Sequence, residues 1–439
     1  MLASPAWRRA APVALVFAVC AGIYAATLGA RASGTSDNAH YVYLAESYLH
    51  GQLHLVGNKP PGRNDWAHYD GRWYVSFPPL PAVVIAPAVA IWGVKTWDRL
   101  FWAVLAGLGP AMLFLLLRGL RESGRSERSA RDDLWLVALF AFGTAYYYTS
   151  VQGTVWFAAH VVAVPLVALF VHFALGARRP LLAGLCLGLC FLARPSTLLL
   201  SLFFGLEAIA AARTKGASDA GDDDAKPLAR AWAHVRDADV SVWLPLCLRF
   251  SIPIVAVLAI AMVLNHARFD DVFVFGHEYL KIRWRKRIDT WGLFNYHYLG
   301  RNLAVFLAAL PWLSGSSPFF KIGRHGLAIW FTTPNLLWLP WPRRTSSTTI
   351  ALTVAAVAVA LMDLLYQNSG WVQFAYRFSL DYMVLLIVLL ALGARRFGLG
   401  FKSLAVFAIA VNLFGAITFD RVPMFYDRDP TQRVIFQPH

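Results

Sequence analysis

Apolar stretches separated by short polar breaks recur along this chain from Pro12 to Phe419. A helix needs roughly 20 mainly apolar residues to cross a bilayer, so the recurrence predicts an all-α, polytopic membrane protein. The expected spans are 12–30, 100–117, 134–150, 154–175, 180–193, 195–212, 243–264, 326–341, 348–366, 380–393 and 402–418, about eleven in all. The pair at 180–193 and 195–212 reads as a hairpin broken at Arg194-Pro195.

A long segment, 31–99, separates the first two spans. Asp37 to His50 contains no Pro or Gly and reads as a helix lying along the membrane surface. Asp37, His40, Tyr41, Leu44 and Tyr48 then share one face at helical spacing. Lys59-Pro60-Pro61-Gly62-Arg63 and Tyr69 to Pro81 are turn signals around a short extended stretch. The apolar piece 82–92 contains Pro87 and is too short to span, so it is expected to be a second interfacial helix. With the N-terminus inside, that choice puts Arg118, Arg121, Arg125, Arg128 and Arg131 in the cytoplasm, as the positive-inside rule requires. Arg343, Arg344, Arg395 and Arg396 fall on the same side.

The polar, mixed-charge stretch 213–240 reads as a flexible cytoplasmic loop. Residues 265–325 form a second outer region, aromatic and basic around Lys281-Ile282-Arg283-Trp284-Arg285-Lys286-Arg287, and 419–439 form a short outer tail. The whole of 1–439 is expected to be one membrane domain. It has no visible internal repeat, which weighs against transporter folds built from paired halves.

Composition agrees with a bilayer location: 58% of residues are hydrophobic and only 15% charged, with mean hydropathy +0.51. The net charge of +15 is spread over loops between spans, so it argues for topology and anionic headgroups and against nucleic acid. Arg8 and Arg9 precede an apolar run that resembles a signal peptide, but that run is long for one, and a retained first helix is expected. Cys20, Cys186, Cys190 and Cys247 lie in or beside apolar spans and act as small hydrophobes. No disulfide is expected, and no metal site, since Cys186 and Cys190 lack His or acidic neighbours. There is no phosphate-binding Gly-rich loop, HExxH motif or Cys/His cluster, which disfavours a cytosolic nucleotide-sugar donor.

Four stretches carry a family resemblance: Ser36-Asp37-Asn38-Ala39-His40-Tyr41 with Gly51-Gln52-Leu53; Tyr74-Val75-Ser76-Phe77-Pro78-Pro79-Leu80-Pro81; Gly184 to Arg194-Pro195; and Gln373-Phe374-Ala375-Tyr376-Arg377-Phe378-Ser379-Leu380-Asp381. Together with the span pattern they cover most of the chain, which resembles the GT-C superfamily of membrane glycosyltransferases. That class includes protein O-mannosyltransferases and aminoarabinose transferases acting on lipid A. The resemblance implies a GT-C-type helix bundle, a polyprenyl-phosphate sugar donor and a catalytic aspartate in the first outer loop, mapping here onto Asp37. It also implies a multi-pass protein of the cytoplasmic membrane working at its outer face on a protein, lipid or glycan acceptor. The family often has a second acid beside that aspartate, whereas this chain has Asn38, so metal dependence is not expected.

The chemistry of such a transfer selects the same residues. Inverting transfer needs a base for the acceptor hydroxyl while phosphate leaves on the opposite face of the sugar. Asp37 suits that base; the structural alternative is capping of the helix behind it. Charge developing on the phosphate calls for cations, and arginine forks bind phosphate well. Arg194 and Arg377 are the leading candidates, against headgroup contact for the first and an i,i+4 pair with Asp381 for the second. Lys59, Arg63 and Arg72 are further phosphate candidates that could instead meet only headgroups. His40, Tyr41 and Tyr74 are candidates for sugar contact, against an internally bonded histidine and interfacial aromatic anchors. The 265–269 and 276–279 loop reads as structural or acceptor-facing. A glycolipid flippase or transporter, and a non-catalytic lipid-sugar-binding scaffold, are the competing classes.

Overall fold

The computed structural model describes residues 5–62, 64–213, 238–282 and 284–426. Arg63, nearly all of the 213–240 loop and the tail beyond 426 lie outside them. The helices are α1 (Pro5–Leu28), α2 (His40–Leu49), α3 (Leu80–Trp92), α4 (Asp98–Ala106), α5 (Leu108–Glu122), α6 (Ala130–Gly143), α7 (Tyr146–Ser150), α8 (Val155–Ala174) and α9 (Pro180–Phe191). They continue as α10 (Ser201–Ala211), α11 (Val240–Phe269), α12 (Arg285–Trp291), α13 (Leu299–Ala308), α14 (Ile329–Thr332), α15 (Ser347–Leu364), α16 (Met383–Leu392) and α17 (Leu399–Thr418).

Among the described residues, six helical stretches are long and apolar enough to cross a membrane: 10–32, 98–122, 155–177, 240–269, 347–364 and 399–418. Four shorter apolar helices accompany them, at 80–95, 180–191, 195–211 and 383–392. Two expected spans are not continuous helices. The 134–150 run breaks after Gly143, where the Thr144 hydroxyl returns to the Phe140 carbonyl at 2.7 Å, and resumes as α7. The 326–341 run holds only the single turn of α14 and a 3-10 helix at Pro334–Trp338. Pro334, Pro340 and Pro342 deny it the backbone donors a longer helix needs.

Apolar on every face, α8 runs through the middle of the bundle, as that pattern requires. By contrast, α11 turns Leu248, Ile252, Val255, Ile260 and Val263 outward, a surface suited to lipid. Its inner face packs on α9 at Gly184 and Gly188, beside Phe250, Ile254 and Val257, the close approach that small residues permit between membrane helices.

The two ends of the bundle are held differently. At one end, Arg128 donates to the carbonyls of Leu390 at 2.7 Å and Ala391 at 3.1 Å. It thereby takes up carbonyls at the C-terminus of α16 that have no helical donor. Arg121 pairs with buried Asp133 at 2.8 Å. At the other end, β1 (Trp66–Tyr69) and β2 (Arg72–Val75) pair antiparallel, Trp66 opposite Val75 and Tyr69 opposite Arg72. Asp70 and Gly71, at φ 44° and 69°, make the two-residue turn whose twist suits a hairpin. A second small hairpin joins β3 (Trp312–Leu313) and β4 (Phe320–Lys321).

The surface helix expected from Asp37 begins at His40. Tertiary bonds hold the residues before it. Ser36 donates from its backbone and hydroxyl to Asp98 at 2.8 and 2.5 Å, and the Asn38 carbonyl accepts from the Val155 amide at 3.1 Å. Asp37 therefore sits in the preceding turn and not on the helix face with His40 and Tyr41.

Candidate active site

The first turns of α8 gather the site. Val155 binds the Asn38 carbonyl, which fixes the Asp37 turn at the positive end of a 20-residue helix. Trp156 donates its indole N–H to Asp65 at 2.9 Å. The Phe157 ring lies 5.1 Å under the Arg377 guanidinium. His160, one turn deeper, places Nδ1 3.1 Å from Asp381.

Asp37 is exposed, and no hydrogen bond to its carboxylate occurs among the described residues. It lies within electrostatic reach of Arg31, and the capping role is filled by no side chain, because the cap position is Ala39. Arg31, Arg99 and Arg421 converge electrostatically near this turn. Each has a buried guanidinium nitrogen without a hydrogen-bond partner: Nη1 of Arg31, Nε of Arg99, and Nε and Nη2 of Arg421. Gly153, at φ 77°, lets the loop before α8 close on Arg99, where a Cβ would come within 2.7 Å of the Arg99 Cα. These three cations escaped the sequence reading because arginines at span ends look like ordinary topology signals.

Arg194 and Arg377 are both drawn into the bundle, but toward different partners. Arg194 clasps Asp381 with Nε at 2.9 Å and Nη2 at 2.7 Å, and the Ser196 hydroxyl adds a bond at 2.6 Å. The alternative for Arg377, an i,i+4 pair with Asp381, does not form, since Asp381 lies in the 3-10 turn Arg377–Asp381 and faces Arg194. Arg377 instead donates to the carbonyls of Gly370 and Val372, and its Nε is left without a partner. Asp363 is buried at the end of α15 within reach of Arg194 and Asp381. The Tyr366 phenol lies among Arg194, Asp65 and Arg377.

His40 is buried, stacks on Trp66 at 4.0 Å, and bonds the Asn64 carbonyl through Nε2 at 2.9 Å. Burial holds its imidazole down at about 4, so it is neutral and serves to position the Asn64-Asp65-Trp66 segment. Burial pushes the Asp65 carboxyl up, opposed by the Trp156 bond and by Arg377. Tyr41 is buried with its hydroxyl unpartnered, within reach of Arg194. Tyr74 lies apart, packed on Phe269 at 5.2 Å. Lys59 and Arg72 are exposed on and beside the β1–β2 hairpin.

Among solved structures, the chain is similar to the Archaeoglobus fulgidus oligosaccharyltransferase in its apo form. The identity is 14% and the TM-score 0.50, over 95% of this chain and 56% of that one. It is also similar to ArnT from Cupriavidus metallidurans bound to undecaprenyl phosphate, at 14% identity and TM-score 0.52, over 92% of this chain and 63% of that one. The chain thus spans less than two thirds of the length of either protein. No protein-family model and no curated protein matches the sequence. At such identity the likeness carries the fold alone: the chain shares its helical fold with these two proteins.

Proposed function

We propose that the protein is an inverting glycosyltransferase that takes a sugar from a polyprenyl-phosphate donor at the outer face of the cytoplasmic membrane. Asp37 accepts the proton of an acceptor hydroxyl, the acceptor oxygen bonds to the anomeric carbon, and the bond from that carbon to the phosphate oxygen breaks. The observation that supports this reading most is the exposed Asp37 carboxylate, without a hydrogen bond among the described residues, in the turn held at the α8 N-terminus. That same end of α8 also meets Asp65, Arg377 and Asp381.

Arg194 spends two of its nitrogens on Asp381, so its role becomes that of fixing Asp381 and the α9–α10 turn. The cations better placed to meet a leaving phosphate are Arg377 and the Arg31, Arg99 and Arg421 group, whose orphaned nitrogens are ready donors. Asn38 in place of a second acid makes metal-independent transfer the expected chemistry.

The test is a single-turnover assay of purified protein with radiolabelled polyprenyl-phosphate mannose, then other lipid-linked sugars, and an envelope extract as acceptor. Label should reach the acceptor with wild type, with and without EDTA, but not with Asp37→Asn. Full transfer by a folded Asp37→Asn would overturn the assignment of the base. A donor panel left intact by folded wild type would overturn the enzymatic reading.

A further inference from the structure

The β3–β4 hairpin and the helix before it turn apolar side chains away from the bundle. Leu313 is 89% exposed and Phe319 66%. Leu303 and Leu307, one turn apart on α13, and Leu310 just beyond it are exposed as well. The other face of α13 is engaged. Asn302 is buried there and donates from Nδ2 to the carbonyls of Leu364 at 2.9 Å and Tyr366 at 2.7 Å, with Val305 buried beside it. These bonds fix the direction in which the exposed row points, and an apolar row so placed marks a contact surface.

The depth of the hairpin says what it contacts. At the Asp37 end of the bundle, where Asp420 meets Arg31 at 3.4 Å, α17 stops at Thr418. Phe414, one turn or about 6 Å before that stop, packs on Phe320 of β4 with ring centres 5.7 Å apart. Further along α17, Asn412 donates to the Thr332 carbonyl at 2.8 Å and Phe407 meets Phe331 at 6.0 Å. Trp330, next to Phe331, donates to the Leu307 carbonyl at 2.7 Å. The hairpin and the last turn of α13 therefore lie beside the final turns of a helix apolar and long enough to cross a membrane, not beyond them. Leu413 and Ile417, which flank Phe414 on α17, are exposed too, so the apolar surface of the hairpin continues that of the helix.

Charge points the same way. From residue 290 to residue 362 the chain contains no Asp or Glu, whereas Arg301, Lys321 and Arg324 lie in or beside α13 and the hairpin. The Lys321 ammonium stands 5.7 Å over the Trp312 ring. Tryptophan, cations and an absence of carboxylates suit the boundary between headgroups and acyl chains, where a lysine reaches to the polar side from an apolar footing.

We propose that α13 and the β3–β4 hairpin form an edge of the molecule inserted in the lipid leaflet at the Asp37 end, with Leu303, Leu307, Leu310, Leu313 and Phe319 seated among acyl chains. Because the same helix bonds residues 364–367, and the loop that follows supplies the carbonyls that hold Arg377, the inserted edge also braces the candidate active site.

The test is spin-label accessibility on the whole protein in phosphatidylcholine nanodiscs. Cys247→Ala serves as the background, since Cys20, Cys186 and Cys190 are buried. Labels are placed through Leu313→Cys, Phe319→Cys and Leu307→Cys, with Asp70→Cys at the exposed β1–β2 turn as the water-facing reference. At 313 and 319 the ratio of collisions with oxygen to collisions with a soluble nickel chelate should exceed the ratio at 70 at least fivefold. The label at 307 should behave alike, and it covers the case of a tip variant that does not fold. Adding Leu313→Asp should lower the ratio at 319 at least twofold, because a carboxylate is driven from the acyl region. Labels at 313 and 319 as open to the nickel chelate as the label at 70 would put the hairpin in water and overturn the proposal. Labels shielded from both reagents would mean that a second copy or another protein covers this face, which overturns it equally. No turnover is involved, so the outcome does not depend on the proposed transfer.

Discussion

Asp37 and Asp381 are both aspartates beside apolar spans, yet their surroundings give them opposite uses. Asp381 is buried and bonded by Arg194 and Ser196, with His160 Nδ1 3.1 Å away, whereas Asp37 is exposed with no hydrogen bond to its carboxylate among the described residues. Asp37→Asn should therefore leave thermal stability in detergent unchanged while transfer falls by about 10²–10⁴-fold, the usual contribution of a general base. Removing one member of a buried pair strands the other charge, so Arg194→Met or Asp381→Leu alone should cost about 3–5 kcal/mol. The double variant should recover much of that loss, and a thermal-melt double-mutant cycle checks the coupling; additive losses would show that the pair does not stabilise the fold. Asp37, Arg194 and Arg377 stand out in the sequence as candidates because an ionisable side chain beside an apolar span is conspicuous there, but the engagement of Arg194 by Asp381 is visible only in the fold. Asp65 and His160 do not stand out, because their partners lie 91 and 221 residues away in the chain and only the fold brings them together.

At the scale of the element, hydrophobic periodicity locates α8, α11, α15 and α17 closely, since each is an uninterrupted apolar run. It misplaces boundaries where tertiary bonds or prolines intervene. The start of α2 is displaced because Asp98 and Val155 take the groups of Ser36 and Asn38, and neither competitor is visible locally. The packing of α9 on α11 is likewise silent in the sequence except for its glycines. A Cβ at Gly184 would run into the Phe250 carbonyl, with the Pro253 ring 2.8 Å away. Because the obstacle is backbone, Gly184→Ala should destabilise the protein by about 1–3 kcal/mol. Gly205→Ala meets nothing within 4 Å and should be neutral or slightly stabilising, as expected for a helical glycine facing open space. Melting both variants in the same detergent tests the contrast.

For the molecule as a whole, the bundle is locked at one end by arginines on helix termini and at the Asp37 end by packed loops containing buried histidines. That asymmetry predicts how stability responds to acid. His40 is 1% exposed and held at about 4 by burial; His325 is 6% exposed and held at about 3, again by burial first. An unfolded histidine titrates near 6.5, so between that pH and the depressed folded values the unfolded chain takes up protons that the folded chain refuses. The stability these residues contribute is complete above pH about 6.5 and declines as pH falls toward about 4, by at most about 3 kcal/mol for His40. The melting temperature in detergent should accordingly fall between pH 7 and pH 5. His40→Phe keeps a ring against Trp66 but cannot take a proton, and it loses the bond to Asn64. Its melting temperature should be lower than wild type at pH 7, with a shallower slope toward pH 5; a slope equal to wild type would mean that His40 is not among the groups that sense acid.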